Sequence, residues 1–285
     1  MAVLYVVATP IGNLQDFSPR AVETLRNSDL IIAEDTRVTM KLCQVFDIHT
    51  RMISCHRHNE LYKGEEIANQ ILSEDLTAVL TTDAGTPCIS DPGYVTVRAC
   101  AEKGICVIPV PGCCAAIAAL SICGFDTREF AFYGFLPREK KDLREKLLSI
   151  ADGVSVAVIH ESPFRIIDLT EMISMVLPQA EMTVCCDLTK MHETVLRGSP
   201  DTVLQALQNN PKAEKGEYCI VLDLSRIPPK EKINDNDSIS TEGQLTDLMT
   251  KGMSLREAQE ELILRGEKKN TVKQAAIKLK IMFES

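Results

Sequence analysis

Short apolar runs alternate with helix-period segments through the first part of the chain, and each run ends in a polar loop. Leu4 to Ala8, Leu30 to Ala33, Thr77 to Leu80 and Ile105 to Val110 read as strands, with Met52 to Ser54 a short fifth. Continuous apolar runs bounded by turn residues fit strands covered on both faces. Between them, Pro19 to Asn27 is predicted as a helix, with Ser18 as N-cap and proline in its first position. Gly64 to Leu72 sets Ile67, Ala68, Ile71 and Leu72 at helical spacing. Gly93 to Lys103 forms a further helix, stopped by Gly104, and Pro111 and Gly112 open the small-residue helix CCAAIAALSIC. This alternation predicts an α/β domain over residues 1–123, built on a mainly parallel sheet with helices on both faces.

Gly124 to Thr127 reads as a junction, and residues 124–227 as a second α/β domain. Its strands are expected at Phe130 to Tyr133, Val154 to Ile159, Met182 to Cys186 and Glu217 to Leu224. Its helices are expected at Lys140 to Ile150, Ile166 to Val176 and Pro200 to Leu207. Residues 228–243 are polar and poor in apolar side chains, which predicts a flexible linker. Residues 244–285 then form a small helical domain, with helices near Leu245 to Met249, Ser254 to Arg265 and Thr271 to Phe283. The chain shows no internal repeat.

A length of 285 residues with 45% hydrophobic and 25% charged positions is ordinary for a globular protein with two domains. No apolar run approaches the roughly 20 residues that cross a bilayer. The opening MAVLYVVATPIG lacks the basic flank of a signal peptide and reads as a first strand, so a cytoplasmic protein with no membrane partner is expected. A net charge of −9 argues against a broad nucleic-acid-binding surface. Two basic segments leave room for a local one: REKKDLREK at 138–146, and the last helix with Arg265, Lys268, Lys269, Lys273, Lys278 and Lys280. Each reads equally as a solvated helix face. The 11 cysteines include the adjacent pairs Cys113–Cys114 and Cys185–Cys186 but no CxxC. They are expected as reduced thiols packed like small apolar residues, with no metal site.

Four polar loops follow apolar strands: TPIGN (9–13), EDTR (34–37), TTDAGTPCISDPG (81–93) and PVPGCC (109–114). In a parallel sheet such loops share one edge and converge on one ligand. The third is the most informative, because Gly85, Pro87, Pro92 and Gly93 shape it and it carries Asp83 and Asp91. The plain alternative is a solvated turn before a helix. The first loop lacks both the glycines of a dinucleotide fingerprint and the lysine of a P-loop, which disfavours a phosphate site. Pro10 with Gly12 fits close approach to an uncharged or cationic ligand instead.

The stretches YVVATPIGNL, AEDTR, SCHRHNE, TDAGTPCISDPG, PVPG, GFLPR, ESPFR, DLTKMHET and KGEY occur in that order. Together they resemble the tetrapyrrole-methylase superfamily and, more narrowly, the bacterial small-subunit ribosomal RNA 2′-O-ribose methyltransferase I family. The resemblance spans about residues 3–224, and the tail is similar to that family's small helical C-terminal segment. It implies two α/β domains of the class III methyltransferase type, S-adenosylmethionine as methyl donor and a homodimer. It also implies a cytidine of 16S rRNA in the small ribosomal subunit as acceptor. On this resemblance, Pro10, Ile11, Asp83, Gly85, Thr86, Cys114 and Ala115 contact the cofactor from the first domain, and Glu161, Ser162 and Cys185 from the second.

A ribose 2′-hydroxyl is a poor nucleophile at neutral pH, so a base or hydrogen-bond acceptor is expected beside it. The candidates are Glu161, Lys190 (if its pKa is lowered) and His56, followed by Asp35 and Glu193. His56 reads equally as a surface or satisfied histidine. Arg37, Arg138, Arg165 and Lys190 are the expected phosphate contacts, although Arg165 can as well bond Glu161 or a carbonyl of its own loop. The chain departs from the family where Cys186 and Asp187 stand for an Arg-Glu pair, Cys113–Cys114 for Pro-Ser and Cys55 for an aromatic. Two other readings stay open: a methyltransferase of corrin or porphyrin precursors, and a cofactor- or ribosome-binding homologue without catalysis.

Overall fold

A computed structural model of the chain describes residues 1–227, 240–265 and 267–284. They fall into two compact units, 1–228 and 229–285. The larger unit opens with β1 (Val3–Val7), α1 (Pro19–Arg26), β2 (Leu30–Ala33), α2 (Thr36–Val45), β3 (Met52–Ser54), α3 (Glu60–Ser73), β4 (Thr77–Leu80), α4 (Tyr94–Glu102) and β5 (Cys106–Val110). The strands form one parallel sheet in the order β3-β2-β4-β1-β5. Its apolar residues split by the period of two that a strand imposes. Leu30, Ile32, Ala78 and Leu80 meet Ile67, Ile71 and Cys100 on one face, whereas Ile31, Ala33 and Val79 meet Leu25 and Cys43 on the other. Both faces are covered, as the continuous apolar runs require.

α5 (Ala115–Cys123) leaves this sheet and packs on the next one. Ala116, Ala119, Leu120 and Cys123 lie against Val156, Val158, Cys185, Cys219 and Val221. A helix apolar on all sides is one that is buried, and its small residues let it approach closely. The second sheet comprises β6 (Ala131–Phe135), α6 (Lys140–Gly153), β7 (Val156–Glu161), α7 (Ile166–Val176), β8 (Glu181–Cys186), β9 (Thr194–Gly198), α8 (Pro200–Gln208) and β10 (Tyr218–Asp223). Its order is β6-β7-β10-β8-β9. Only β6 and β7 are parallel; β10 runs antiparallel to β7 and β8, and β9 antiparallel to β8. Its outer face packs on α6, α7 and α8 through Leu147, Ile159, Ile173, Ile220 and Val203.

The smaller unit holds α9 (Thr241–Thr250), α10 (Leu255–Leu264) and α11 (Lys269–Glu284) around Leu245, Leu248, Ala258, Leu262, Val272 and Ala276. Ser254 and Glu257 form a reciprocal capping box at the start of α10. The stretch expected as a linker lies outside the described residues as far as 239, and α9 already begins at Thr241, capped by Ser240.

Two elements escape the apolar pattern. α2 buries only Thr39 and Cys43 while Val38, Met40 and Val45 are exposed, so no helical stripe stands out. β9 is a half-exposed edge strand ending at Gly198. The described cysteines are all free, and Cys43, Cys55, Cys100, Cys123, Cys185 and Cys219 are buried as small core residues.

The entry to α4 is a tight turn near the sheet edge. Gly93 has φ +130°, and a Cβ there would lie 2.8 Å from Leu80 Cδ2 and 3.0 Å from Cys88 Sγ. Its N–H donates to the buried Glu60 carboxylate at 2.8 Å. Gly93→Ala is therefore expected to cost about 2–4 kcal/mol of stability through backbone strain and overpacking, read as a lower urea midpoint; an unchanged midpoint contradicts this account of the turn.

Candidate functional site

Because the first sheet is parallel, the carboxyl ends of β1, β2, β4 and β5 share one edge, and their loops bond to each other there. The Thr9 N–H donates to the Gly85 carbonyl at 2.9 Å, and the Gly85 N–H returns to the Thr9 carbonyl at 3.1 Å. Gly85 has φ +89°, a conformation that glycine adopts without strain. The Thr86 hydroxyl donates to the Cys113 carbonyl at 2.9 Å, tying the β4 loop to the β5 loop. The Asp35 N–H donates to Asp83 Oδ1 at 3.1 Å, and the Thr82 hydroxyl donates to Glu34 Oε2 at 2.7 Å, tying the β4 loop to the β2 loop.

These loops concentrate negative charge. Asp91 is pushed up to about 6, first by burial and then by the neighbouring charge of Glu34. Asp83 is also raised, by burial and by the charges of Glu34 and Asp35. Asp35 is the exception: hydrogen bonds from the Arg37 guanidinium and backbone N–H hold it down at about 2. A cleft of about 350 Å³ opens beside these groups, lined by Glu34, Asp35, Arg37, Ser54, His56 and Asp83. His56 Nδ1 is buried there without a hydrogen-bond partner among the described residues. Carboxylates held partly out of water favour a cation between them.

The second sheet meets this edge with the ends of β6, β7 and β8. A Cβ on Gly12 would stand 2.5 Å from Lys190 Cγ and 3.0 Å from Thr189 Oγ1, so the β1 loop lies directly on the β8–β9 loop. Ile11, Cys114 and Ala115 share one apolar cluster with Leu188 and Cys185. Lys190 Nζ donates to Asp187 Oδ1 at 2.7 Å and to Glu217 Oε2 at 2.9 Å. At the end of β7, Glu161 is buried. Its Oε1 accepts the Ser162 N–H at 2.7 Å. Its Oε2 has no hydrogen-bond partner among the described residues, with Arg165 Nη2 at 3.4 Å as an ion pair. Ser90 Oγ lies 3.5 Å from His160 Nδ1, which brings the DPG turn onto β7.

This arrangement has known counterparts. The family model of tetrapyrrole (corrin/porphyrin) methylases matches residues 3–203. A ribosomal RNA small subunit methyltransferase I of Synechocystis sp. is 40% identical over 263 residues, covering 92% of this chain and 92% of that one. The chain belongs to the ribosomal RNA small subunit methyltransferase I family of tetrapyrrole methylases. Among solved structures, the methyltransferase CobJ matches with a TM-score of 0.57 and 13% identity, over 78% of this chain and 94% of that one. A uroporphyrin-III C-methyl transferase of Thermus thermophilus, complexed with S-adenyl homocysteine, matches with a TM-score of 0.51 and 15% identity, over 79% of this chain and 99% of that one. At such identities these two share the fold.

Of the residues expected at the site of this methyltransferase family member, Pro10, Ile11, Asp83, Gly85, Thr86, Cys114 and Ala115 lie on the joined loops or at the start of α5. Glu161 and Ser162 lie at the end of β7. The structure bears on three of these expectations. Lys190 does not fit a base with a lowered pKa: burial pulls it down, but its hydrogen bonds to Asp187 and Glu217 outweigh that and raise it. The Cys185 thiol is enclosed by α5 and β10 and, like the Glu161 carboxylate, has no exposed surface in this structure. Arg165 is committed to Glu161 and to the carbonyl of Pro137, at 2.9 Å, rather than held out to solvent. Arg37 is likewise paired with Asp35 but exposed, and Arg138 is exposed on the rim. Asp35 and Glu193 are also engaged, the latter accepting the Thr189 N–H at 2.6 Å.

Asp91, Glu34, Ser90 and His160 were missed as site residues. Glu34, Ser90 and Asp91 lie in polar loops that the sequence marks as converging, without being singled out as site residues, and nothing local signals His160. The HRHNE segment gains a structural role: the Arg57 guanidinium donates to the Ser90 carbonyl at 2.9 Å, and Glu60 holds Gly93. Side-chain carboxyl NMR is expected to titrate Asp91 near 6, and Glu34→Gln is expected to lower that value because a like charge is removed. An Asp91 titrating at the ordinary carboxylate value contradicts the assigned environment.

Proposed function

We propose that the chain transfers a methyl group from S-adenosylmethionine to the ribose 2′-hydroxyl of a cytidine in 16S rRNA, acting on the small ribosomal subunit in the cytoplasm as a homodimer. The observation that carries this reading is the joining of four strand-end loops into one acidic wall, against which the second sheet sets the β8–β9 loop at Gly12 and the end of β7 through Ser90 and His160. Membership of the rRNA methyltransferase family supports the acceptor, and the relative fold bound to S-adenyl homocysteine supports the donor.

The residues present fit the donor. S-adenosylmethionine, when bound, supplies a methyl group on a cationic sulfur. Asp83 and Asp91, with Glu34 behind them, provide the negative potential that favours such a cation, and the backbone of Pro10, Ile11, Gly85 and Thr86 allows close approach. The uncapped amino end of α5 at Cys114–Ala115 offers free N–H groups to a carboxylate. On the acceptor side, Glu161 Oε2 is the buried oxygen without a hydrogen bond, and we assign it to accept the 2′-hydroxyl proton. The Arg165 cation beside it compensates its charge, and Lys190, fixed by two carboxylates against the β1 loop, positions the acceptor strand as a cation rather than as a base.

The test is methylation of small subunits from a strain lacking the enzyme, with the product nucleoside identified; no 2′-O-methylcytidine overturns the reading. Glu161→Gln is expected to lower kcat by about a hundredfold or more while cofactor affinity stays within a few fold; the same loss from His56→Ala with an active Glu161→Gln would move the base to the first sheet. The pH dependence follows from Asp91. A carboxylate titrating at about 6 is ionised above that value and neutral below it, and a bound cation favours the ionised form. Cofactor affinity is therefore expected to fall as pH drops through about 6, and Asp91→Asn should flatten that profile, measured by calorimetry.

A further inference from the structure

The rim of the second sheet carries two aromatic rings that the core does not use. Phe135, at the end of β6, is 60% exposed, and Phe164, just past the end of β7, is 79% exposed. β6 and β7 are parallel neighbours, with Phe135 opposite His160 at the carboxyl edge from which the loop carrying Phe164 leaves after Glu161. That edge is braced by side chains. Phe135 and Phe132 hold the His160 ring edge-on at 6.0 and 4.9 Å, and the Arg165 guanidinium clamps the β6 loop through the Leu136 and Pro137 carbonyls. Next to it, Arg138 and Lys140 line a shallow depression with Arg165, in company with Asp168 and Glu171. The basic segment 138–146 continues from there along α6.

Single exposed apolar side chains are normal on a protein surface. Two aromatics on adjacent strand ends, beside a basic segment and a proton-accepting carboxylate, form a different pattern. Unpaired bases are bound by stacking on aromatic rings while cations track the backbone. We infer that Phe135 and Phe164 form a stacking platform for unpaired bases of a single-stranded RNA segment, which holds the acceptor ribose over Glu161 while Arg138 and Lys140 contact its phosphates. The inference rests on the proposed RNA methylation and specifies how its substrate is held: as single strand, by ring stacking.

The experiment uses the full chain, unmethylated small subunits and labelled S-adenosylmethionine. Phe135→Leu and Phe164→Leu are each expected to raise KM for subunits about tenfold, within the range known for loss of one base–aromatic stack, while the dissociation constant for S-adenosylmethionine is unchanged. Phe164→Tyr should restore KM to near the wild-type value, since a phenol ring still stacks. The inference is overturned if the leucine variants keep the wild-type KM, or if leucine and tyrosine serve equally. It is also overturned if the double leucine variant changes mass in sedimentation, which would make the rim a contact with a second copy of the chain. Wild-type protein that methylates no subunit RNA overturns the proposed function itself, and this inference with it; active wild type with unaffected variants overturns the inference alone.

Discussion

The pair of backbone hydrogen bonds between Thr9 and Gly85 is the constraint on which the site depends. β1 and β4 are adjacent in the sheet, but their loops run outward past the last strand pairing, and loops of that kind ordinarily separate. The reciprocal bonds at 2.9 and 3.1 Å extend the contact beyond the strands. They require Gly85 in the left-handed region, where a side chain would be strained. With Gly85 placed, Thr86 reaches the Cys113 carbonyl and Asp83 reaches the Asp35 N–H. The carboxylates then have nowhere to spread. Burial, and after it their mutual charge, accounts for the raised Asp83 and Asp91 and for a wall that suits a cation better than a phosphate.

The same constraint sets the approach of the second sheet. The β1 loop is tied to the β4 loop through Thr9, and within it Gly12 comes close enough to Lys190 that even a Cβ would collide. α5 completes the junction from below. It starts at the β5 loop and buries Ala116, Ala119 and Leu120 on the second sheet, so one helix links that loop to the sheet face carrying Val156, Val158 and Cys185. Small side chains are what make this possible, since a bulkier helix would lift the second sheet away from the loops.

Much of this was legible in the chain because local chemistry determined it. The parallel sheet followed from strands without alternation, and the ligand edge from polar loops placed after them. What escaped depends on partners distant in sequence. Lys190 reads as a candidate base in isolation, and only Glu217, which β10 brings beside it 27 residues later, settles it as a held cation. The raised Asp91 likewise depends on burial by distant segments and then on Glu34 from the loop after β2. Cys185 is expected as a ligand contact by resemblance alone, and the alternation of β8 turns its thiol into the α5 interface and leaves Cys186 on the opposite face. α2 was hidden for the opposite reason: its exposed Val38, Met40 and Val45 obscure the two positions that are buried.

Where the chain departs from its family, the structure offers a local compensation. Asp187 holds φ +54° and Thr189 φ +67°, conformations that residues other than glycine adopt at a cost. The turn is held against that strain by the Asp187–Lys190 pair, by the Glu193 carboxylate on the Thr189 N–H and by the Asp187 N–H on the Glu217 carbonyl. The shorter carboxylate at Asp187 is thus engaged in shaping the loop that presses on Gly12. Among the described residues Lys190 is the cation paired with Glu217, and its aliphatic stem is what lies against Gly12 of the β1 loop.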